Sequence, residues 1–167
     1  MKQISVRRST PDPAGSSGPV DFGILLALAY GGFVDRLRSA LAVAGFADLN
    51  RSFGYVARAL SPGSLSLREL AARLEMTSQG ALKIVDDMEA GGYLERVADP
   101  ADGRSKQLRL TARGRAALAA ARAFHRRFEA DLARRLGPRR VASIRAALTE
   151  LVDLGDRAGA PVALRPL

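Results

Sequence analysis

Apolar residues recur at helical spacing through most of this chain, and the places where that rhythm stops divide it into segments. From about Val20 to Ala44, Phe22, Leu25, Leu26, Ala29, Phe33, Leu37 and Leu41 form one long stripe, which predicts a helix with a buried face. Gly31 and Gly32 lie inside this stripe. The periodicity continues in register through them, so they predict a kink or a close helix crossing rather than a break. Phe46-Ala-Asp-Leu-Asn begins a connection, and Arg51 to Leu60 reads as a second helix carrying Phe53, Val56 and Leu60, stopped by Ser61-Pro62-Gly63. Near the other end, Thr111 to Leu136 predicts another long helix. Leu118, Ala121, Phe124, Phe128, Leu132 and Leu136 occupy one side of it and paired arginines the other. Gly137-Pro138 ends it, and a last helix from about Arg139 carries Val141, Ile144, Leu148, Leu151 and Val152.

Between these helices the elements are shorter. Ser66-Leu-Arg-Glu is a capping box: the Ser66 hydroxyl serves the Glu69 amide, and the Glu69 carboxylate reaches back to the Ser66 amide. Leu65 and Leu70 stand where a hydrophobic staple would. Leu67, Leu70, Ala71 and Leu74 then make a short, half-buried helix with Arg68, Glu69, Arg73 and Glu75 on its wet side. After a brief interruption at Met76-Thr77 a second helix starts, capped by Thr77, with Ala81, Ile84, Val85 and Met88 facing inward. So tight a junction between two helices is the helix-turn-helix signal. Gln79 and Lys83 share the outer face with Ser78 at its edge, and the bare Gly80 suits close approach to a phosphate or base edge. Asp86, Asp87 and Glu89 in the second half would be repelled by phosphates, so only the first turns are suited to enter a groove. Gly91-Gly92 ends this helix.

Tyr93 to Ala98 and Lys106 to Leu110 then flank Asp-Pro-Ala-Asp-Gly as a hairpin whose first strand alternates poorly. From Gly103 to Arg115 there are Arg104, Lys106, Arg109, Arg113 and Arg115 and no acid. A basic hairpin beside a groove-reading helix is a DNA-binding constellation, and the order of elements is that of a winged helix-turn-helix. Arg104 and Lys106 are the wing's candidates for DNA contact. Arg109, Arg113 and Arg115 either join them or solvate a strand end and a helix start.

The stretch LRELAARLEMTSQGALKIVDDMEAGGYLERVADPADGRSKQLRLTARG resembles the DNA-binding core of the MarR family of bacterial transcription regulators. Asp102-Gly103-Arg104-Ser105-Lys106 leading into Leu-Arg-Leu-Thr is similar to that family's wing signature, here with lysine as the final basic residue. The resemblance covers the middle third of the chain; the flanking helices match in length and order. It implies that Asp102 braces the wing by pairing with an arginine and that Arg104 enters the minor groove. Ser78, Gln79 and Lys83, with Thr77 as the cap, would lie in the major groove. It also implies a crevice that binds small aromatic or phenolic ligands. Tyr30, Phe33, Phe46, Tyr55 and also Phe53 and Phe124 are candidates for lining it, as alternatives to a role in the core, with Arg51 or His125 holding an anionic group.

Composition narrows the choice further. A chain of 167 residues fits one domain of ordinary size or one long-armed protomer, and a net charge of +9 suits a polyanionic partner. Charge alone leaves the matter open, because an arginine-rich composition also follows from GC-rich coding. With no cysteine, thiolate metal sites, disulfides and thiol sensing are excluded. His125 is the only histidine, and the Asp-Pro-Ala-Asp-Gly turn has Ala98 where a calcium loop needs its first ligand. Neither metal, cofactor nor catalysis is expected. The chain has no apolar run long enough to span a bilayer and no signal-peptide core, which predicts a cytoplasmic protein without a membrane partner.

The sequence therefore predicts a mainly α protein with a small β-wing. Residues 1–19 form a basic arm, 20–45 an N-terminal dimerisation helix, 46–115 the winged helix-turn-helix, 116–158 the C-terminal dimerisation helices and 159–167 a tail. Long amphipathic helices at both ends offer more apolar stripe than one lobe can cover, so a homodimer reading a pseudopalindromic operator is expected, with half-sites roughly 34 Å apart. The function expected is a ligand-responsive transcription regulator, in this family most often a repressor. The alternative is an architectural protein that binds duplex DNA without regard to sequence.

Overall fold

The computed structural model describes residues 20–99 and 105–157, with side chains described through Leu154. Along the chain run α1 (Phe22–Val43), α2 (Phe53–Ala59), β1 (Leu65–Ser66), α3 (Leu67–Arg73), α4 (Ser78–Ala90), β2 (Leu94–Ala98), β3 (Lys106–Leu110), α5 (Ala112–Leu136) and α6 (Pro138–Arg157). The molecule is thus mainly helical with one small antiparallel sheet, in the order β1-β3-β2. It divides into two compact units, the boundary falling after Asp35 within α1.

In the first unit, the described chain is the leading part of α1, where Phe22, Ile24, Leu25, Leu28 and Tyr30 are all at least half exposed. The helix passes through Gly31 and Gly32 without interruption. A Cβ on either glycine would meet nothing within 4 Å. The crossing expected there is therefore not made among the described residues, and the helix does not break.

The second unit holds the core. Phe53, Val56 and Leu60 from the α2 region, Leu70 and Leu74 from α3, Val85 and Met88 from α4, Leu94, Leu108 and Leu110 from the hairpin, and Ala117 and Leu118 from α5 form one cluster with Tyr93. Val56, Leu70, Val85, Leu94 and Leu108 are fully buried. Each such side chain contributes on the order of 1.5–3 kcal/mol relative to exposure, which holds α2, α3, α4, the hairpin and the start of α5 around one core. β1 is a strand where the sequence suggested only a staple and a cap. Leu65 pairs with Leu108 and Ser66 with Gln107, so the capping residue of α3 is also the third strand of the wing sheet. The other boundaries shift slightly. α2 begins two residues later than expected because Arg51 and Ser52 form a turn, Tyr93 stands outside β2, and Pro138 opens α6 instead of merely ending α5. Proline is favoured at that first helical position, whose amide has no partner in any case.

Helix ends explain the tight connections. At the end of α4 the Tyr93 amide donates to the Met88 carbonyl at 2.8 Å and the Gly92 amide to Glu89 at 2.9 Å, with Gly92 at φ 71°. This is the Schellman arrangement, which needs a left-handed residue at Gly92. α3 ends in the same way, with Met76 donating to Ala71 at 3.0 Å and Glu75 to Ala72 at 3.2 Å. There the left-handed residue is Glu75, at φ 49°, the only non-glycine residue with positive φ among the described residues. The helix-turn-helix turn therefore carries local strain.

Gly114 answers a different constraint. It is buried in the first turn of α5, and a Cβ there would sit 2.0 Å from the Tyr93 carbonyl oxygen. That carbonyl accepts from the Thr111 amide at 3.1 Å, and the Thr111 hydroxyl donates to the Gly92 carbonyl at 2.6 Å. The start of α5 is thereby bonded to the end of α4.

Three substitutions test these points. Gly114→Ala should destabilise the protein by roughly 3 kcal/mol, because backbone must move to admit the methyl. Gly54→Ala, in α2 with open space around it, should be neutral or stabilising by about 0.5–1 kcal/mol. Glu75→Gly should stabilise by roughly 1 kcal/mol by relieving the left-handed turn. Urea unfolding monitored by far-UV circular dichroism reads all three.

Candidate nucleic-acid interface

The helix-turn-helix is built by two local caps. The Ser66 amide donates to Glu69 Oε2 at 2.7 Å while the Glu69 amide donates to Ser66 Oγ at 3.2 Å, completing the expected capping box. The hydrogen bond from the Ser66 side chain, followed by that from its backbone, holds the Glu69 carboxyl below its ordinary pKa. Thr77 caps α4 by accepting the Gly80 amide at 3.1 Å. A Cβ on Gly80 would lie 3.2 Å from Thr77 Oγ1, so the bare backbone gives room to the cap as well as to any approaching group.

From this start, α4 projects Ser78, Gln79 and Lys83 as exposed side chains, while Ala81, Val85 and Met88 are buried beneath them. None of the ion pairs among the described residues engages Lys83. The second half of the helix differs. Arg96 on β2 reaches Asp86 at 2.5 Å and also pairs with Glu89. The strand register explains why: Leu94 faces Leu110 and Arg96 faces Leu108. Residues opposite one another share a face, so Arg96 occupies an inward position beside Leu94. The poor alternation of this strand is an arginine at a core-side position, its charge met by the acids of α4. Nothing in the local sequence of β2 signals that role.

The cations after the hairpin turn are divided in the same way. Lys106 is exposed at the start of β3, opposite Ala98. Arg109 pairs across the strands with Glu95 at 2.9 Å. Arg115 donates to the Leu110 carbonyl at 2.6 Å. Arg113 donates to Asp48 at 3.1 Å and to the Tyr93 hydroxyl at 2.9 Å, and lies over the Tyr93 ring, 4.6 Å from its centroid. The run of positive residues without an acid in its own sequence thus finds acids on other elements. Arg109, Arg113 and Arg115 each have a structural partner. At the wing's base the Asp99 amide donates to Ser105 at 3.1 Å, and Gln107 Nε2 to Asp99 Oδ2 at 2.7 Å. Asp102 and Arg104 lie outside the described residues, as do the arm at 1–19 and the tail at 159–167.

The ligand candidates are dispersed. Tyr30 and Phe33 belong to the first unit. In the second, Phe46 stacks near Tyr93, with ring centroids 6.4 Å apart, and lies under Arg113. Tyr55 packs half-buried against the core, and Arg51 is exposed in the turn before α2. His125 lies on α5 with its pKa lowered, first by partial burial and then by the charge of Arg58, which disfavours the cationic form that would hold an anion. Phe46, Arg51, Tyr55 and His125 line neither of two clefts that open on this unit. One, of about 280 Å³, has Phe124, Phe128 and Leu132 as apolar walls with Arg36, Arg127 and Arg135 and the single acid Asp131 beside them. The other, of about 390 Å³, lies between the Leu60–Ser64 loop and Arg109, Arg115 and Arg122. Among the described residues there is no cluster of His, Cys, Asp or Glu able to hold a metal ion. None of their helices is long and apolar enough to cross a membrane.

Capped paired helices, a three-stranded wing and an exposed polar face on the second helix define a winged helix-turn-helix protein. Residues 53–105 match the model of the MarR family. No curated protein matches the chain in sequence. Among solved structures, RV1404 from Mycobacterium tuberculosis is similar with a TM-score of 0.68 at 22% identity, over 86% of this chain and 99% of that one. The reduced form of MarR from E. coli gives 0.63 at 20% identity, over 81% and 99%. A mutant of S. aureus MepR bound to an oligodeoxyribonucleotide gives 0.57 at 18%, over 80% and 96%. At these identities the likeness is one of fold.

The junction around Asp48 gives a pH test. The Tyr93 hydroxyl, its hydrogen-bond donor, is the largest influence holding Asp48 below the ordinary carboxylate range, with Arg113 adding to it. A depressed folded-state pKa contributes stability above the unfolded value, near 3.9, and that contribution disappears as pH falls through the folded value. Tyr93→Phe should therefore lose stability at pH 7 and show a shallower further loss of thermal midpoint between pH 5 and pH 2 than the wild type. Parallel curves would show that Asp48 titrates alike in both.

Proposed function

We propose that this protein is a homodimeric, sequence-specific DNA-binding transcription regulator. The observation that carries the reading is the exposed set Ser78, Gln79 and Lys83 on the opening turns of a capped second helix, within a segment matching the MarR family. In this reading Thr77 and Ser78 position the helix against phosphates, and Gln79 and Lys83 address base edges in the major groove. Lys106 and Arg104, the latter braced by Asp102, take the minor groove. The acids of α4 point the same way: Asp86 and Glu89 are drawn to Arg96, which keeps negative charge at the end of the helix away from the phosphates.

Dimerisation rests on apolar surface. Phe22, Ile24, Leu25 and Leu28 on α1 and Ile144, Leu148, Leu151 and Val152 on α6 are exposed in one chain. Apolar stripes of this kind on two terminal helices are what a second copy would cover. Repression released by a small ligand is the regulatory form proposed. The cleft between Phe124, Phe128 and Arg36 combines aromatic walls with cations and suits a small anionic aromatic effector. Such a ligand would act by favouring a separation of the two lobes that no longer fits the half-sites.

Selection of bound fragments from genomic DNA, followed by competition with random duplex at fixed salt, tests the function. A regulator should prefer its operator by roughly 10³-fold or more, whereas equal competition would favour an architectural protein. Within this reading, Gln79→Ala should relax base preference at one position by about 1–3 kcal/mol. Arg104→Ala should weaken binding to all sequences and reduce the salt slope by about one. Both variants should remain dimeric by analytical ultracentrifugation.

A further inference from the structure

We propose that Leu82 contacts the C5-methyl group of a thymine in the major groove and so fixes a base preference that Gln79 and Lys83 do not supply. This rests on the reading of α4 as the helix that enters the groove. Leu82 is 40% exposed, and between Val43 and Leu136 it is the only large hydrophobic side chain so exposed among the described residues. It is not part of the core: α4 fills its share of the core with Ala81, Val85 and Met88, and Leu82 is absent from the core cluster.

Its neighbours on the helix surface mark its position. Ser78 stands one turn before it, Gln79 three residues before, Lys83 beside it and Asp86 one turn after, all of them exposed. A lone exposed leucine elsewhere would be unremarkable surface. Here it is an apolar group set among hydrogen-bonding side chains on the turns proposed to face DNA.

The chemistry of the groove then selects the partner. Major-groove edges of base pairs present hydrogen-bond donors and acceptors, and the one apolar group among them is the thymine methyl. Leucine can neither donate nor accept, so against a guanine or cytosine edge it would displace water without replacing the lost hydrogen bonds. Against a thymine it removes a methyl and its own branched end from water together. Burial of one methyl-sized group corresponds to about a fourfold change in affinity.

The test uses the full chain and an operator enriched from a randomised duplex pool. Each thymine of a half-site is replaced singly by deoxyuridine, which removes only the methyl group. For the wild type, replacement at one position should weaken binding by about fourfold. Leu82→Ala should bind the unmodified site more weakly and show no further loss at that position, with a thermal midpoint no lower than the wild type's. If every deoxyuridine site binds the wild type normally, or if Leu82→Ala retains the same penalty, the methyl contact is not made by Leu82. In either case an enriched operator leaves the reading of α4 standing. A pool that yields no enriched sequence overturns both.

Discussion

The lobe depends on one crowded junction at Tyr93. Its amide closes α4, its carbonyl receives α5, and its ring packs at an edge against Phe53, with centroids 5.4 Å apart. Its hydroxyl donates to Asp48, while Arg113 lies over the ring and bonds both Asp48 and that hydroxyl. One buried residue thus sets where α4 stops, where the wing begins and how α5 departs. The absence of a side chain at Gly114 permits this, because the backbone of α5 comes close enough to the Tyr93 carbonyl to leave no space for a methyl group. Desolvation and the hydrogen bond to Asp48 raise the Tyr93 pKa, the bond from Arg113 opposing them, so the phenol stays a neutral donor across the physiological range.

Electrostatics on the same lobe are sorted by position along α4. Of the C-terminal acids of α4, Asp86 and Glu89 are bound to Arg96 on the wing strand, and Glu95 and Asp48 are bound to Arg109 and Arg113. Exposed pairs of this kind add little stability singly, about 0–1 kcal/mol. Their effect is on distribution: these pairs engage Arg96, Arg109 and Arg113 and leave out Lys83 and Lys106.

The terminal helices present the opposite situation. α5 is anchored through Ala117, Leu118 and Phe124, which are buried. α6 packs on α5 and is tied to it by Arg145 and Glu129 at 2.5 Å, yet its row of Ile144, Leu148, Leu151 and Val152 remains exposed. Such a helix is amphipathic without a single chain to satisfy it. The apolar stripe legible in its sequence is real, and the described residues of one chain leave it uncovered.

What the sequence determined by itself was what depends on residues within a few positions of one another. The capping box at Ser66, the cap at Thr77, the glycine stop after α4 and the hairpin strands on either side of Asp99 are each set by short-range hydrogen bonds and backbone preferences, and each is where the pattern placed it. The left-handed turn at Glu75 was not legible, because no glycine marks it and the packing of α3 against α4 imposes it. Pairing of Leu65 with Leu108, the two acids gathered by Arg96, the capture of Arg113 by Asp48 and the closeness of Gly114 to Tyr93 join residues far apart in the chain. Their energies exist only once the core has brought those residues together. Tertiary structure alone therefore decided which charges are engaged and which face outward.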